Sequence, residues 1–194
     1  MSERVHAVVV VDMQHDFVDP TGALHVRGGP DIVEGVADLV RRAHAEGDLV
    51  VYTQDWHPAR TPHFAVDGGL WPVHCVMDTP GAEMVDGIPV DGPVIRKGSG
   101  PEDGYSAFSV LHLPSGEVRE TELGDLMDAA GITDLTVVGL AGDWCVKSTA
   151  LDGVALGYAV TVPLTLTRFV ELHPGDTERA VAEMRAAGVR VLDA

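Results

Sequence analysis

The chain is short of cations. Thirteen lysines and arginines stand against 30 aspartates and glutamates, a formal charge of −17 at pH 7, with an isoelectric point near 4.6. A surface of that sign repels phosphate backbones and anionic headgroups, and no local cluster of Lys and Arg offsets it. Nucleic acid and membrane surfaces are therefore excluded as expected partners. Cysteine is scarce too: Cys75 and Cys145 are too few and too far apart for a disulfide framework, which leaves thiol chemistry as an alternative. No long hydrophobic run occurs. Ala7 to Val11 is far shorter than the core of a secretory signal and no small-residue cleavage pattern follows it, so a cytoplasmic protein is expected. Also missing are GxGxxG after the first strand, a GxxxxGK[ST] loop, HExxH and GxSxG. Dinucleotide, nucleoside-triphosphate and serine-hydrolase readings lose their support.

What is there suits one domain spanning 1–194. A chain of 194 residues with 45% hydrophobic side chains can bury roughly 70% of its unfolded surface, so it needs no disulfide or structural metal to fold. Any metal it carries is then suspected of function. Short runs rich in Val, Leu and Ile at Val5–Val11, Leu49–Thr53, Pro93–Arg96, Leu135–Gly139, Ala159–Val162 and Val189–Leu192 suit strands buried on both faces. Between them lie helical spacings through Ile32–Ala43, Leu123–Ala130, Val146–Leu156 and Ala180–Ala187. Gly47, Gly131, Gly157 and Gly188 sit where left-handed helix C-caps belong, and Pro174 lies near the start of the last helix. The alternation predicts an α/β fold, a doubly wound parallel sheet with helices on both faces. Two stretches break the rhythm. Asp55–Gly92, rich in Pro, Trp and His, is too long for an ordinary connection and reads as a site-forming loop, and Gly98–Glu120 reads as a hairpin turning at Pro114-Ser115-Gly116.

In such sheets the site lies beyond the carboxyl ends of the strands, here Asp12, Asp55, Lys97 and the Ala141–Cys145 segment. Cys145 opens a helix, with Asp143 as the expected N-cap, so the helix terminus should favour thiolate and its amides could hold an oxyanion. The competing reading is a buried structural cysteine. Asp12 ends the most apolar strand, where a carboxylate is costly unless it works or is paired; a general base is the working role. Lys97 could pair with Asp12 and lower the thiol pKa further. Together the three supply a nucleophile, a proton shuttle and an electrostatic orienter, the elements of covalent acyl transfer. Asp55, His57, His63 and His74 offer one carboxylate and three imidazoles within twenty residues, a donor set suited to Zn, Fe or Mn. His6, His15, His25, His44, His112 and His173 have no such company. Among the few aromatics, Phe17, Trp71 and Tyr105 are placed to flank a flat substrate ring, whereas Phe108 serves equally well as packing.

The segments Val10-Val11-Asp12-Met13-Gln14-His15-Asp16-Phe17, Asp55-Trp56-His57-Pro58, Trp71-Pro72-Val73-His74-Cys75, Lys97-Gly98, Tyr105-Ser106-Ala107-Phe108 and Gly139 through Val146 resemble the nicotinamidase (pyrazinamidase) branch of the isochorismatase-like cysteine hydrolases. The resemblance runs in order over nearly the whole chain. It implies a six-stranded parallel sheet and hydrolysis of nicotinamide to nicotinate and ammonia, with activity on pyrazinamide also expected. It carries the family triad onto Asp12, Lys97 and Cys145, the oxyanion-hole amides onto Ala141 and Cys145, and a cis peptide between Leu140 and Ala141. It carries the metal onto Asp55, His57 and His74, with the ion thought to hold the pyridine nitrogen beside Phe17 and Trp71. One divalent ion is expected, zinc ahead of iron or manganese, and a homo-oligomer is left open. Two departures stand out. Thr61 and His63 replace the His and Ser of the common DWHPxxHxSF pattern, which suggests His63 as a fourth ligand. Gly142 stands where Thr is frequent, and a looser turn is expected there. Two rivals keep parts of the pattern: another hydrolase of the superfamily acting on isochorismate or an N-carbamoyl compound, and a catalytically silent metal-binding module.

Overall fold

The structure, a computed structural model, describes residues 5–193. In chain order the elements are β1 (His6–Val11), α1 (His15–Val18), α2 (Gly29–Glu46), β2 (Leu49–Asp55), β3 (Val94–Lys97), β4 (Glu102–Asp103), β5 (Ser109–His112), β6 (Glu117–Glu120), α3 (Leu123–Ala129), β7 (Asp134–Gly139), α4 (Cys145–Ala155), β8 (Ala159–Pro163), α5 (Asp176–Ala186) and β9 (Arg190–Leu192). Six strands form one all-parallel sheet in the order β3-β2-β1-β7-β8-β9. The remaining three form a small antiparallel sheet, β4-β5-β6, built from the expected hairpin and one further short strand.

Alternation along β1 explains the layering. Val8 and Val10 point into a core shared with α2 through Ile32, Val36 and Val40. Ala7, Val9 and Val11 point into the opposite core, where Leu123 and Met127 of α3, Val146 and Ala150 of α4, and Met184 of α5 meet them. Helices on both faces leave no strand of the centre half-wet, which is why β1 reads as unbroken Val. Gly47, Gly131, Gly157 and Gly188 all take positive φ at helix ends, as expected of C-caps.

Strand and helix do not alternate throughout. The β2–β3 crossover contains only two single turns of 3-10 helix, Ala65–Asp67 and Pro80–Ala82. Its prolines and short side-chain-bonded turns give this long segment an irregular course, and it lies over the carboxyl ends of β1 and β2. The chain leaves β1 towards β2 and β3 on one side and reaches β7 on the other. That switch point, between β1 and β7, is where a doubly wound sheet opens a crevice.

Candidate active site

Asp12 follows the last residue of β1 at φ 47° and is fully buried. A carboxylate there needs partners, and two strands supply them. Thr53 Oγ1 of β2 donates to Asp12 Oδ1 at 2.5 Å, and Lys97 Nζ, from the end of β3, donates to Asp12 Oδ2 at 2.8 Å. The same ammonium lies 3.0 Å from Asp55 Oδ1 and donates to Cys145 Sγ and the Tyr105 carbonyl, each at 3.3 Å. Lys97 is thus a buried cation with no exposed surface, held by two carboxylates and a thiol. One ligating atom each from Asp12, Asp55 and Cys145 falls within 4.8 Å of the others.

Burial pushes the Asp12 carboxyl above its ordinary value, against the pull of Lys97. For Asp55 burial also opposes ionisation, but Lys97 and the neighbouring imidazoles of His57 and His74 hold its carboxyl well below the ordinary range. Burial disfavours the Lys97 charge, yet Asp12 and Asp55 keep it protonated well above the usual ammonium value. Cys145 corrects the expectation of a thiolate. Burial, reinforced by Asp12 and Asp55, pushes its thiol well above the usual value despite Lys97. The resting group is a thiol beside a carboxylate.

Cys145 is the first residue of α4, so its amide has no intrahelical acceptor. The Leu140–Ala141 peptide is cis, and the Ala141 carbonyl accepts from the amides of Trp144 and Val146 at 3.0 and 3.1 Å. Asp143 is not the N-cap. Trp144 holds that position with no side-chain cap, while the Asp143 carboxylate accepts from the amides of Val170 and Glu171 at 3.0 and 2.8 Å. Nor is the turn at Gly142 loose: its amide donates to the Arg168 carbonyl at 2.7 Å, and a Cβ on Gly142 would meet the Phe169 ring at 2.5 to 2.7 Å. The phenyl ring fills the room a threonine side chain would need.

Next to the triad, His57, His63 and His74 bring ligating nitrogens within 4.8 Å of one another, all three side chains buried. Asp55 Oδ2 lies 3.8 Å from Nε2 of both His57 and His74. Both ring nitrogens of His57 are buried without a hydrogen-bond partner, and leaving them so costs free energy that a bound ion would recover. Pro72 O takes His74 Nδ1 at 2.7 Å and Asp103 Oδ1 takes His63 Nδ1 at 2.8 Å, which leaves Nε2 free on each ring. One carboxylate and three imidazoles so arranged fit a divalent transition ion. The backbone makes room for this. Gly98 has φ 70°, and a Cβ there would collide with the His57 ring, so the residue after Lys97 has to be glycine.

A cavity of about 30 Å³ lies between triad and imidazoles, lined by Asp12, Cys145, His63 and His74 and walled by Phe17, Trp71 and Tyr105. Leu24, Trp144 and Val170 complete the wall, and the sequence reading missed them. Trp71 Nε1 donates to Tyr105 Oη at 3.1 Å, and burial pushes the Tyr105 phenol up to about 12, so it stays neutral. Phe108 is not part of this wall; it stacks on Tyr158 with ring centroids 5.8 Å apart. Two further positioning groups went unread. Gln14 Nε2 donates to the Asp55 carbonyl at 2.7 Å while its Oε1 accepts from the Asp55 amide at 2.9 Å, and Asp16 Oδ2 accepts from the Cys75 amide at 2.7 Å.

A doubly wound sheet with a buried cysteine, carboxylate and lysine at its switch point defines a cysteine hydrolase architecture. The isochorismatase domain model matches residues 6–194. The chain belongs to the isochorismatase family. It is 36% identical to the nicotinamidase of Escherichia coli over 200 residues, covering 94% of this chain and 92% of that one. Among solved structures it is similar to the pyrazinamidase of Pyrococcus horikoshii in complex with zinc, with a TM-score of 0.86 and 36% identity over 97% of this chain and 99% of the other. It is also similar to the yeast nicotinamidase bound to the inhibitor nicotinaldehyde, with a TM-score of 0.88 and 29% identity over 98% of this chain and all of the other.

Proposed function

We propose that the chain, acting as a single domain, hydrolyses nicotinamide to nicotinate and ammonia through a thioester on Cys145. The observation that carries this reading is the adjacency of two complete sets of groups. Lys97 touches Asp12, Cys145 and Asp55 at once, so the nucleophile and the imidazole cluster open on one small apolar cavity. A hydrolase of isochorismate or an N-carbamoyl compound would need the first set and not the second.

The chemistry follows from the protonation states. As Sγ attacks the carboxamide carbon, Asp12 takes the thiol proton, and Lys97 keeps the carboxylate placed and its charge balanced. The amides of Ala141 and Cys145 are assigned to the carbonyl oxygen as it becomes an oxyanion. Asp12 then gives its proton to the nitrogen, the C–N bond breaks and ammonia leaves a nicotinoyl thioester. In the second half Asp12 takes a proton from water as the hydroxyl adds to the thioester carbon. The C–S bond breaks, the proton returns to Cys145 and nicotinate departs. Asp55, His57, His63 and His74 would hold a divalent ion, which supplies a Lewis-acid anchor for the pyridine nitrogen when bound. Phe17 and Trp71 would flank the ring, and Tyr105 would close the cavity against water.

The resident metal, substrate range and cellular location belong to the same proposal: zinc, nicotinamide with pyrazinamide, and the cytoplasm. No helix among the described residues is long and apolar enough to cross a membrane. The discriminating test is a substrate panel on purified zinc-loaded protein. Nicotinate and ammonia should appear in equal amounts from nicotinamide, with isochorismate and N-carbamoyl compounds left unchanged. Turnover of either rival with none of nicotinamide would overturn the assignment.

A further inference from the structure

Asp103 lies outside every motif of the family resemblance, yet it reaches the imidazole cluster. It ends β4, the short strand of the small antiparallel sheet, paired with Leu111 of β5. Its Oδ1 takes His63 Nδ1 at 2.8 Å and also accepts from the Gly104 amide at 2.8 Å, so the backbone itself holds the carboxylate in place. His63 is nearly fully buried, stacked on His57 with ring centroids 4.6 Å apart. A carboxylate only accepts, so this contact requires the proton on Nδ1 and leaves the Nε2 lone pair for a ligand.

We propose that Asp103 is a positioning residue of the metal site: it selects the His63 tautomer that offers Nε2 to the ion and thereby ties the β4–β6 sheet to the metal centre. The next two residues strengthen the argument. Tyr105, two positions on, receives Lys97 Nζ on its carbonyl and Trp71 Nε1 on its hydroxyl. A three-residue strap from Asp103 to Tyr105 therefore touches the imidazoles, the triad and the ring wall together. The other two imidazoles lack such a support from a carboxylate on Nδ1: His74 uses the Pro72 carbonyl, and His57 Nδ1 has no partner. The hydrogen-bonded carboxylate fixes the His63 ring and its tautomer, and such outer partners typically govern metal affinity by 10- to 100-fold.

The inference rests on the metal reading of Asp55, His57, His63 and His74, and the experiment separates the two. Zinc affinity is measured by competition with a chromophoric chelator for the native protein, Asp103→Ala, His63→Ala and the double variant. The proposal predicts roughly a 10- to 100-fold weaker zinc affinity in Asp103→Ala and no further loss when Asp103→Ala is added to His63→Ala. Equal losses in both backgrounds, or no loss in the native background, would overturn it. If the native protein holds no zinc, the metal reading itself falls. A second measurement does not depend on variants folding. Long-range ¹H–¹⁵N correlation of the metal-free native protein should show His63 protonated at Nδ1, and a ring protonated at Nε2 with Nδ1 bare would refute the proposal.

Discussion

Lys97 carries more of this account than its one charge suggests, because it is the only cation among the groups of the triad and it separates two buried carboxylates. Removing it strands both, and Lys97→Met should lower stability by roughly 3–5 kcal/mol as well as abolish turnover. Urea unfolding of the variant measures this, and unchanged stability would mean that Asp12 and Asp55 are neutralised in some other way. The pH dependence follows from Asp12. Burial raises its carboxyl above the ordinary 3.8, so the working carboxylate is lost to protonation as pH falls, sooner than for an exposed aspartate. The acid limb of kcat/KM should therefore lie above 3.8; activity that persists undiminished below that value would contradict the base assignment. At this scale the sequence was legible where charge had to be explained. Asp12, Lys97 and Cys145 stood out because strand ends of apolar runs are costly places for them. Thr53, Gln14 and Asp103 did not, because a neutral hydroxyl, an amide and an acid in a charged hairpin look ordinary until tertiary contacts show what they hold.

At the scale of elements, the six apolar runs announced the six strands, since a parallel sheet covered on both faces requires unbroken Val, Ile and Leu. The helices lay where their spacings placed them, and the Asp55–Gly92 stretch, read from its composition as a site-forming loop, is the β2–β3 crossover without an α-helix. Its order comes from contacts the local sequence does not encode, such as Asp16 holding the Cys75 amide and Gln14 holding Asp55. The oxyanion turn likewise depends on a distant residue. Gly142 and Phe169 interlock, so Gly142→Thr should cost about 1–3 kcal/mol through overpacking. Phe169→Ala in the same chain should recover most of it. Thermal unfolding of the single and double variants checks the coupling, and simple additivity of the two changes would show that the ring does not govern the turn.

For the molecule as a whole, the charge of −17 and the shape of the cavity agree on a small neutral substrate that enters without electrostatic steering. A wider cleft of about 470 Å³ shares Tyr105 and Trp144 with the buried cavity. The proposed metal ligands come from β2 and the loop after it, so a bound ion would fasten the long crossover to the sheet. Zinc at 100 times its Kd should then stabilise the fold by about 2.7 kcal/mol. Melting curves with zinc and with chelator test this, and His57→Ala should show no zinc shift; equal shifts in both proteins would place the ion elsewhere. The central claim is that Cys145 is the nucleophile of an amidase. The measurement that tests it most directly is ammonia release from nicotinamide by native protein and by Cys145→Ala, prepared with the same zinc and shown by circular dichroism to be folded. The account predicts steady release by the native enzyme and a rate at least about 10⁴-fold lower in the variant. Comparable release by both, or none from the folded, zinc-loaded native protein, would contradict it.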